Sequence, residues 1–151
     1  MKHILVPTDF SPMADRAIEP AADLARRLGA RLTLAHVITA PRPPEPVPGA
    51  GYYKVALSQW EADQELERNT LAALESRARA LRDLDVQVSV GRGGAAEGLI
   101  ALATALGADL IVTSSAGRTG LSRLLLGSVA EELTRASPIP VLIWKDAAPA
   151  A

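Results

Sequence analysis

The stretch His3-Ile4-Leu5-Val6-Pro7-Thr8-Asp9-Phe10-Ser11-Pro12 contains an apolar run, a polar turn and a helix start, in that order. The apolar run predicts a strand over residues 3–7 that ends at its proline, because proline has no N–H to donate to a sheet. The serine followed by proline is typical of an N-cap and a first helical residue. Apolar residues then recur at helical spacing as far as Leu28, and Gly29 predicts the end of that helix.

Strand and helix patterns continue to alternate along the rest of the chain. Further strands are predicted at 31–37, 86–90, 109–113 and 141–144, and further helices at about 53–82, 95–106 and 128–135. The fourth strand, Asp-Leu-Ile-Val-Thr, is apolar in its middle, which is typical of a parallel strand buried on both faces. This alternation predicts an α/β fold, an open five-stranded parallel sheet with helices on both faces.

We expect residues 1–146 to form one α/β domain, because neither a repeat nor a domain boundary divides them. The Ala- and Pro-rich tail at 147–151 is expected to be disordered. Residues 40–51 carry five of the 11 prolines and predict a loop with polyproline character. This loop is either a semi-rigid spacer or a ligand for a domain with an aromatic groove.

The composition excludes several classes of protein. The 151 residues include no cysteine, which removes disulfides, zinc–thiolate sites and cysteine nucleophiles. A net charge of -1 and five aromatic side chains argue against a nucleic-acid-binding domain. No apolar run reaches the ~20 residues that span a bilayer, and the residues before Pro7 are too few for a signal sequence. We therefore expect a cytoplasmic protein that binds neither a membrane nor nucleic acid.

Ligands of open parallel sheets bind beyond the carboxyl ends of the strands, where the strand order reverses. In this chain those positions are Thr8-Asp9, Ile38-Thr39 and residues 114–120, the last of which lead to Gly127-Ser128. Together they offer one carboxylate, several hydroxyls, glycine backbone and a helix N-terminus, an inventory that suits a nucleotide. The spacing of the glycines fits neither a dinucleotide fingerprint nor a Walker A loop.

Four stretches of the chain also carry a family resemblance. They are Ile4-Leu5-Val6-Pro7-Thr8-Asp9-Phe10-Ser11, Leu34-Ala35-His36-Val37, Gly107-Ala108-Asp109-Leu110-Ile111-Val112, and the region from Gly117-Arg118-Thr119-Gly120-Leu121 to Leu124-Leu125-Leu126-Gly127-Ser128-Val129-Ala130. On these residues the chain resembles the universal stress proteins over nearly its full length. The resemblance implies a Rossmann-like sheet with strand order 3-2-1-4-5 and a binding crevice between strands one and four.

The nucleotide-binding members of that family carry the motif Gly-x2-Gly-x9-Gly-Ser/Thr, which this chain matches in its second half. Gly117, nine intervening residues and Gly127-Ser128 are present, whereas position 114 is serine in place of the first glycine. A backbone conformation specific to glycine would be strained at Ser114. Ala116 stands where the family often has arginine or histidine, so a cation near the ligand is removed.

The resemblance implies that ATP, or another adenine nucleotide, binds in the crevice, with Mg²⁺ or Mn²⁺ bridging its phosphates. Asp9 would face the ribose or adenine, the backbone of Val37 would contact adenine, and the phosphates would lie against the glycines and the following helix. No catalytic residue and no metal-ligating residue is expected. The implied binding residues are Pro7, Thr8, Asp9, Val37, Thr113, Ser114, Gly117, Gly127, Ser128, Val129 and Ala130.

Several of these residues also have a purely structural interpretation. Asp9 is a common turn residue, Gly127 permits a turn, and Ser128 with Glu131 fits a capping box. Three functions therefore stay open. The first is a nucleotide-binding regulatory or protective module that acts through unknown protein partners. The second is a nucleotide-free interaction or chaperone-like module. The third is slow ATP hydrolysis or autophosphorylation, against which stand the absent Walker lysine and the lack of a general base besides Asp9.

The last predicted strand, Val-Leu-Ile-Trp at 141–144, suggests an oligomer. An apolar strand at the edge of a sheet invites pairing with another chain unless something covers it. The family resemblance also implies a homodimer built at this strand. We therefore expect a homodimer through residues 141–144.

Overall fold

The computed structural model describes residues 1–115 and 126–145 of the chain. These residues form five helices and one parallel sheet with the strand order β3-β2-β1-β4-β5, as predicted. The elements are β1 His3–Pro7, α1 Pro12–Asp15, α2 Ile18–Leu28, β2 Arg31–Ile38, α3 Tyr53–Ala78, β3 Val86–Arg92, α4 Ala95–Ala105, β4 Leu110–Ser114, α5 Ser128–Ala136 and β5 Val141–Trp144. The predicted tail at 147–151 lies outside the described residues.

The central strand β1 is buried along its whole length. Ile4 and Val6 belong to a core cluster that includes Leu74 of α3, and Leu5 belongs to a second cluster that includes Leu99 of α4. Successive side chains of a strand point to opposite faces, so β1 contributes to the core on both sides of the sheet. This double burial is the reason that the strand reads as a continuous apolar run.

The first helix predicted from the sequence is divided in two. Ser11 caps α1 as predicted, since its Oγ accepts from the N–H of Ala14 at 3.1 Å, but α1 ends at Asp15 and α2 begins at Ile18. The reason is Pro20, which in a continuous helix would remove an interior hydrogen bond and clash with the preceding turn. In the observed structure it lies in the first turn of α2, where the backbone N–H groups have no helical partner anyway.

The other helix ends follow the predicted signals with small shifts. Gly29 ends α2 with a left-handed φ of 60°, a conformation that glycine adopts without a steric penalty. The long helix α3 ends at Ala78, earlier than the sequence predicts. Residues 39–52 connect β2 to α3 without a strand or helix, which agrees with the predicted proline-rich loop.

A buried histidine joins the amino ends of β1 and β2 to the carboxyl end of α4. His3 is 3% exposed, and its Nδ1 lies 3.2 Å from the carbonyl oxygen of Leu106. A carbonyl oxygen only accepts, so Nδ1 carries the proton and Nε2 accepts from the hydroxyl of Thr33 at 2.7 Å. Burial is the main cause that lowers the pKa of His3 below 6.5, and the charge of Arg31 lowers it further. The Leu106 carbonyl, Asp109 and Asp85 raise the pKa, but by less.

We expect this histidine to make the fold less stable in mild acid. Between its lowered folded pKa and 6.5, the unfolded chain binds a proton that folded His3 does not. The free energy of unfolding therefore falls as the pH is lowered through this window, and the stabilisation is fully present above 6.5. Urea unfolding at a series of pH values measures the slope. A His3→Gln variant should lack the part of this pH dependence that comes from His3. An equal slope of unfolding free energy against pH in both proteins would contradict the prediction.

No helix within the described residues is long and apolar enough to cross a membrane.

Candidate functional site

The carboxyl ends of β1 and β4 meet at the point where the strand order reverses. From β1 the chain builds outward through β2 and β3, then crosses to β4 on the other side of β1. Pro7 and Thr8 at the end of β1, Val37 near the end of β2, and Thr113 and Ser114 at the end of β4 all lie at this edge. The structure thus brings together the predicted residues of three strands.

The turn after β1 is held by side chains from both of its ends. The Asp9 carboxylate accepts from the N–H of Ser11 at 2.9 Å, and the Thr8 hydroxyl accepts from the N–H of Phe10 at 2.9 Å. That hydroxyl donates to Asp15 at 2.7 Å. The backbone of Thr8 donates to the carbonyl of Ala35 on β2 at 2.8 Å. Asp9 is half-buried, so its second carboxylate oxygen can accept a further hydrogen bond.

Phe10 has a left-handed backbone with φ of 65°, and within the described residues it is the one non-glycine residue with positive φ. Its ring centroid lies 4.6 Å from that of His36 and 4.9 Å from the guanidinium carbon of Arg77. His36 also donates from Nδ1 to the carbonyl of Thr8 at 2.8 Å. His36 therefore supports the turn that carries Asp9.

Val37 is fixed by two glycines that face it. Gly91 lies opposite Val37 in the register of β3 on β2, and Gly98 lies in α4. A Cβ built on Gly98 would lie 2.8 Å from Cγ1 of Val37 and 3.2 Å from the backbone oxygen of Arg92. Helix α4 can approach β2 this closely because position 98 has no side chain. Gly98 is missing from the predicted site, although a glycine inside a helical pattern is itself a signal of close packing.

A backbone hydrogen bond joins the residue after β4 to the residue before α5. Ser115 donates its N–H to the carbonyl of Trp144 at 2.9 Å, and Gly127 donates its N–H to the carbonyl of Ser115 at 2.7 Å. These bonds hold the N-terminus of α5 against the carboxyl end of β4. Residues 116–125, and with them the predicted Gly117, lie outside the described residues.

The N-cap of α5 is Gly127, and the predicted capping box at Ser128 is wrong. Ser128 is the first helical residue, and Glu131 donates its backbone N–H to the carbonyl of Gly127 at 2.9 Å. Ser-x-x-Glu fits a box only when the serine stands before the helix. Glycine has no side-chain oxygen that could accept from the N–H groups of the first turn. The N–H groups of Val129 and Ala130 therefore receive no hydrogen bond from the side chain of the N-cap residue. A helix start of this kind suits an anion.

The backbone strain expected at Ser114 is not present. Ser114 is the last residue of β4, pairs with Trp144 of β5, and does not have a positive φ. For the adenine nucleotide that the family resemblance implies, we therefore expect Ser114→Gly to leave the affinity unchanged or higher, while glycine in a strand costs about 0.5–1 kcal/mol of stability. Calorimetric titration and urea unfolding measure the two quantities. Ser89→Gly in β3 is the matched control, and a marked loss of affinity in Ser114→Gly alone would show that the serine contacts the ligand.

An ion cluster that the sequence does not predict borders this edge at the end of β3. Arg92 donates from Nη2 to Asp63 at 2.9 Å and to Glu67 at 3.1 Å, and Arg42 of the proline-rich loop donates to Glu67 at 2.9 Å. Burial acts to lower the pKa of Arg92, but hydrogen bonds to Glu67 and Asp63 together with the attraction of their charges raise the pKa overall. The cluster joins the loop, α3 and β3. Within the described residues, no group of three or more His, Asp or Glu side chains stands together as a metal site.

Fold and site together define an open parallel α/β protein in which the carboxyl ends of β1 and β4 meet where the strand order reverses. The chain belongs to the universal stress protein family, whose family model matches residues 1–145. This confirms the resemblance seen in the sequence.

Relatives and solved structures agree over nearly the whole chain. Universal stress protein MJ0531 of Methanocaldococcus jannaschii is 31% identical over 147 residues, which are 95% of this chain and 82% of that protein. The structure of MJ0577 from the same organism is 28% identical, covers 97% of both chains and has a TM-score of 0.76. A universal stress protein in complex with cAMP is 26% identical, covers 97% of this chain and 98% of that chain, and has a TM-score of 0.63.

Proposed function

We propose that this universal stress protein binds an adenine nucleotide, with ATP as the favoured ligand, in the crevice between β1 and β4. The observation that carries the proposal is the pairing of two features at one edge of the sheet. A half-buried carboxylate, Asp9, follows β1, and a helix start without a capping side chain at Gly127 adjoins the end of β4. The relative in complex with cAMP supports an adenine nucleotide as the ligand class.

Each end of the nucleotide has a chemically suitable partner in this arrangement. A carboxylate at Asp9 accepts from ribose hydroxyls or the adenine amino group, and the backbone of Val37 offers polar atoms to the base. The phosphates accept from the N–H groups of Ser128, Val129 and Ala130, where the helix dipole also favours negative charge. Pro7, Thr8, Thr113 and Ser114 would line the pocket. Gly117, which lies outside the described residues, would add a further contact.

A bound divalent cation would be held chiefly by the nucleotide. Within the described residues no cluster of carboxylates or imidazoles offers a metal site, whereas phosphate oxygens readily bind Mg²⁺. The residues present therefore suit a Mg²⁺ or Mn²⁺ ion that enters with ATP. Comparing ATP titrations with and without the metal measures this dependence.

Calorimetric titration of the ligand-stripped chain with Mg-ATP tests the proposal. We expect micromolar binding, and a loss of roughly tenfold to 100-fold in Asp9→Asn, because hydrogen bonds to a charged group contribute about 1.5–3 kcal/mol. Asp85→Asn removes the same charge from an exposed position before β3, at the opposite edge of the sheet, and should leave the affinity unchanged. No binding of any adenine nucleotide by the wild-type chain would overturn the proposal.

A nucleotide-free interaction module is the second candidate, and the alanine at position 116 favours it because the family often has arginine or histidine there. The titration separates the two candidates. In either case we propose a regulatory or protective role in the cytoplasm, with the output passed to protein partners. Slow ATP hydrolysis is a further alternative, and phosphate release that disappears in Asp9→Ala would support it.

We propose that two copies of the chain pair through β5. This strand is at the edge of the sheet, and Leu142 and Trp144 are 37% and 39% exposed. Light scattering should give twice the 15.8 kDa chain mass for the wild-type protein and a monomer for Leu142→Lys/Trp144→Lys. Leu28→Lys, at an exposed position on α2, should stay dimeric. A monomeric wild-type chain would overturn this assembly.

A further inference from the structure

We propose that Arg77 is a positioning residue for the nucleotide site, holding the turn after β1 so that Asp9 is presented to the crevice. The inference rests on the proposed function, and adds to it a residue of α3 that lies 62 positions along the chain from its main partner, Asp15.

Arg77 and Asp15 form a forked ion pair. Nε of Arg77 lies 3.0 Å from Oδ1 and 2.9 Å from Oδ2 of Asp15, and Nη2 lies 2.8 Å from Oδ2. The two side chains are 26% and 30% exposed, so the pair is partly shielded from water. Nη1 of Arg77 also donates to the carbonyl of Ala73 at 3.2 Å, which fixes the guanidinium relative to its own helix. A fork of this kind specifies direction as well as charge.

The ion pair continues into the turn that carries Asp9. Oδ1 of Asp15 accepts from the Thr8 hydroxyl at 2.7 Å, and the same hydroxyl accepts from the N–H of Phe10 at 2.9 Å. Asp15 thus orients a hydroxyl that would otherwise rotate freely. Asp9 lies between Thr8 and Phe10 in the chain, so the peptide that follows Asp9 is linked to Asp15 through the Thr8 hydroxyl.

Arg77 also contacts Phe10 directly. Its Nη2 lies 3.4 Å from the carbonyl oxygen of Phe10, and its guanidinium carbon lies 4.9 Å from the centroid of the ring. Phe10 has φ of 65°, which an aromatic residue adopts only where its surroundings hold it. Arg77 therefore stabilises the backbone conformation that turns the chain from Asp9 to Ser11. Without it, we expect Phe10 to leave the left-handed region and Asp9 to lose its fixed direction.

The chain offers a matched control on the same helix. Arg68 is exposed on α3 and makes no hydrogen bond or ion pair with the described residues. Arg77→Met and Arg68→Met remove the same charge and leave the same unbranched side chain. Arg77→Lys keeps the charge at position 77 and loses the fork.

The first measurement is made without nucleotide. The ¹³Cα and ¹³Cβ chemical shifts of Phe10 report its left-handed φ, and the exchange rate of the Ser11 amide reports its bond to Asp9. We expect both to change in Arg77→Met, to change less in Arg77→Lys, and to stay at wild-type values in Arg68→Met. Wild-type values in Arg77→Met would overturn the proposal.

The second measurement is a double-mutant cycle on Mg-ATP affinity. We expect Arg77→Met to weaken binding roughly tenfold in the wild-type background and to have no further effect in Asp9→Asn, since the coupling runs through Asp9. A purely structural Arg77 would give independent losses that multiply, and this result would overturn the proposal. If the wild-type chain binds no adenine nucleotide, the proposed function fails together with the role in binding. If it binds and Arg77→Met binds equally well, only the role of Arg77 fails.

Discussion

Replacement of Gly127 by valine is expected to weaken Mg-ATP binding by about 100-fold while the chain remains folded. Gly127 has φ of -62° and ψ of 149°, an extended conformation that valine also adopts, so the backbone can remain as it is. A branched side chain at the N-cap would hinder the approach of phosphate to the first-turn N–H groups of α5. Valine is a poor N-cap, and glycine makes no side-chain cap either, so the cost in stability should stay below about 1 kcal/mol.

A second substitution at the same position makes the test sharper. The carboxylate of Gly127→Asp would accept from the N–H of Val129 or Ala130, the donors proposed for phosphate, and would repel the phosphate charge. Stability should rise by a few tenths of a kcal/mol, whereas affinity should fall by about the same factor as in the valine variant. Titration calorimetry and thermal unfolding measure both quantities. Ala136→Val, at an exposed position at the other end of α5, is the control. Unaltered affinity in both Gly127 variants would refute the assignment of the phosphate site.

Gly98→Leu is expected to lower the free energy of unfolding by about 3 kcal/mol, which corresponds to a drop in Tm of roughly 6–12 °C for a chain of this size. The Cβ alone would lie 2.8 Å from Cγ1 and 3.1 Å from Cγ2 of Val37. Val37 is 8% exposed and β-branched, so it has little freedom to move aside. The substitution therefore forces α4 away from β2 or displaces Val37 from the proposed adenine contact.

The smaller variant Gly98→Ala tests the cause of this effect. Alanine favours a helix over glycine by up to about 1 kcal/mol, so steric overlap must exceed this gain for the variant to be less stable. We expect Gly98→Ala to lower the free energy of unfolding by about 1 kcal/mol. Val37→Ala should cost less stability in the Gly98→Ala chain than in the wild-type chain, because the smaller side chain relieves the overlap. Urea unfolding of the four proteins gives the coupling. Ala101→Leu, exposed on the same helix, should unfold like the wild type. A Gly98→Ala variant as stable as the wild type would contradict the prediction.

The parallel sheet and most element positions could be predicted from the sequence, because buried strands and amphipathic helices have different periods. β1 and β5 have the predicted bounds, and Ser11 and Gly29 cap their helices as predicted. The predictions that failed depend on choices between neighbouring positions. The local sequence is compatible with Ser128 either preceding α5 or being its first residue. In the structure Ser128 is the first residue, because the hydrogen bond from Gly127 to Ser115 holds Gly127 in the N-cap position. Pro20 breaks a helix whose apolar spacing continues through it.

The sequence by itself determined the family, the fold class and which strand ends carry polar residues, since these follow from local patterns and motifs. Only the tertiary structure decided how those residues are supported. Arg77 meets Asp15 across 62 positions, and Gly98 meets Val37 between a helix and a strand that are not neighbours in the chain. Such contacts depend on strand register and on the distance between helix and sheet. Register and spacing are set by the packing of the whole core, so no local pattern around Arg77 or Gly98 could specify them.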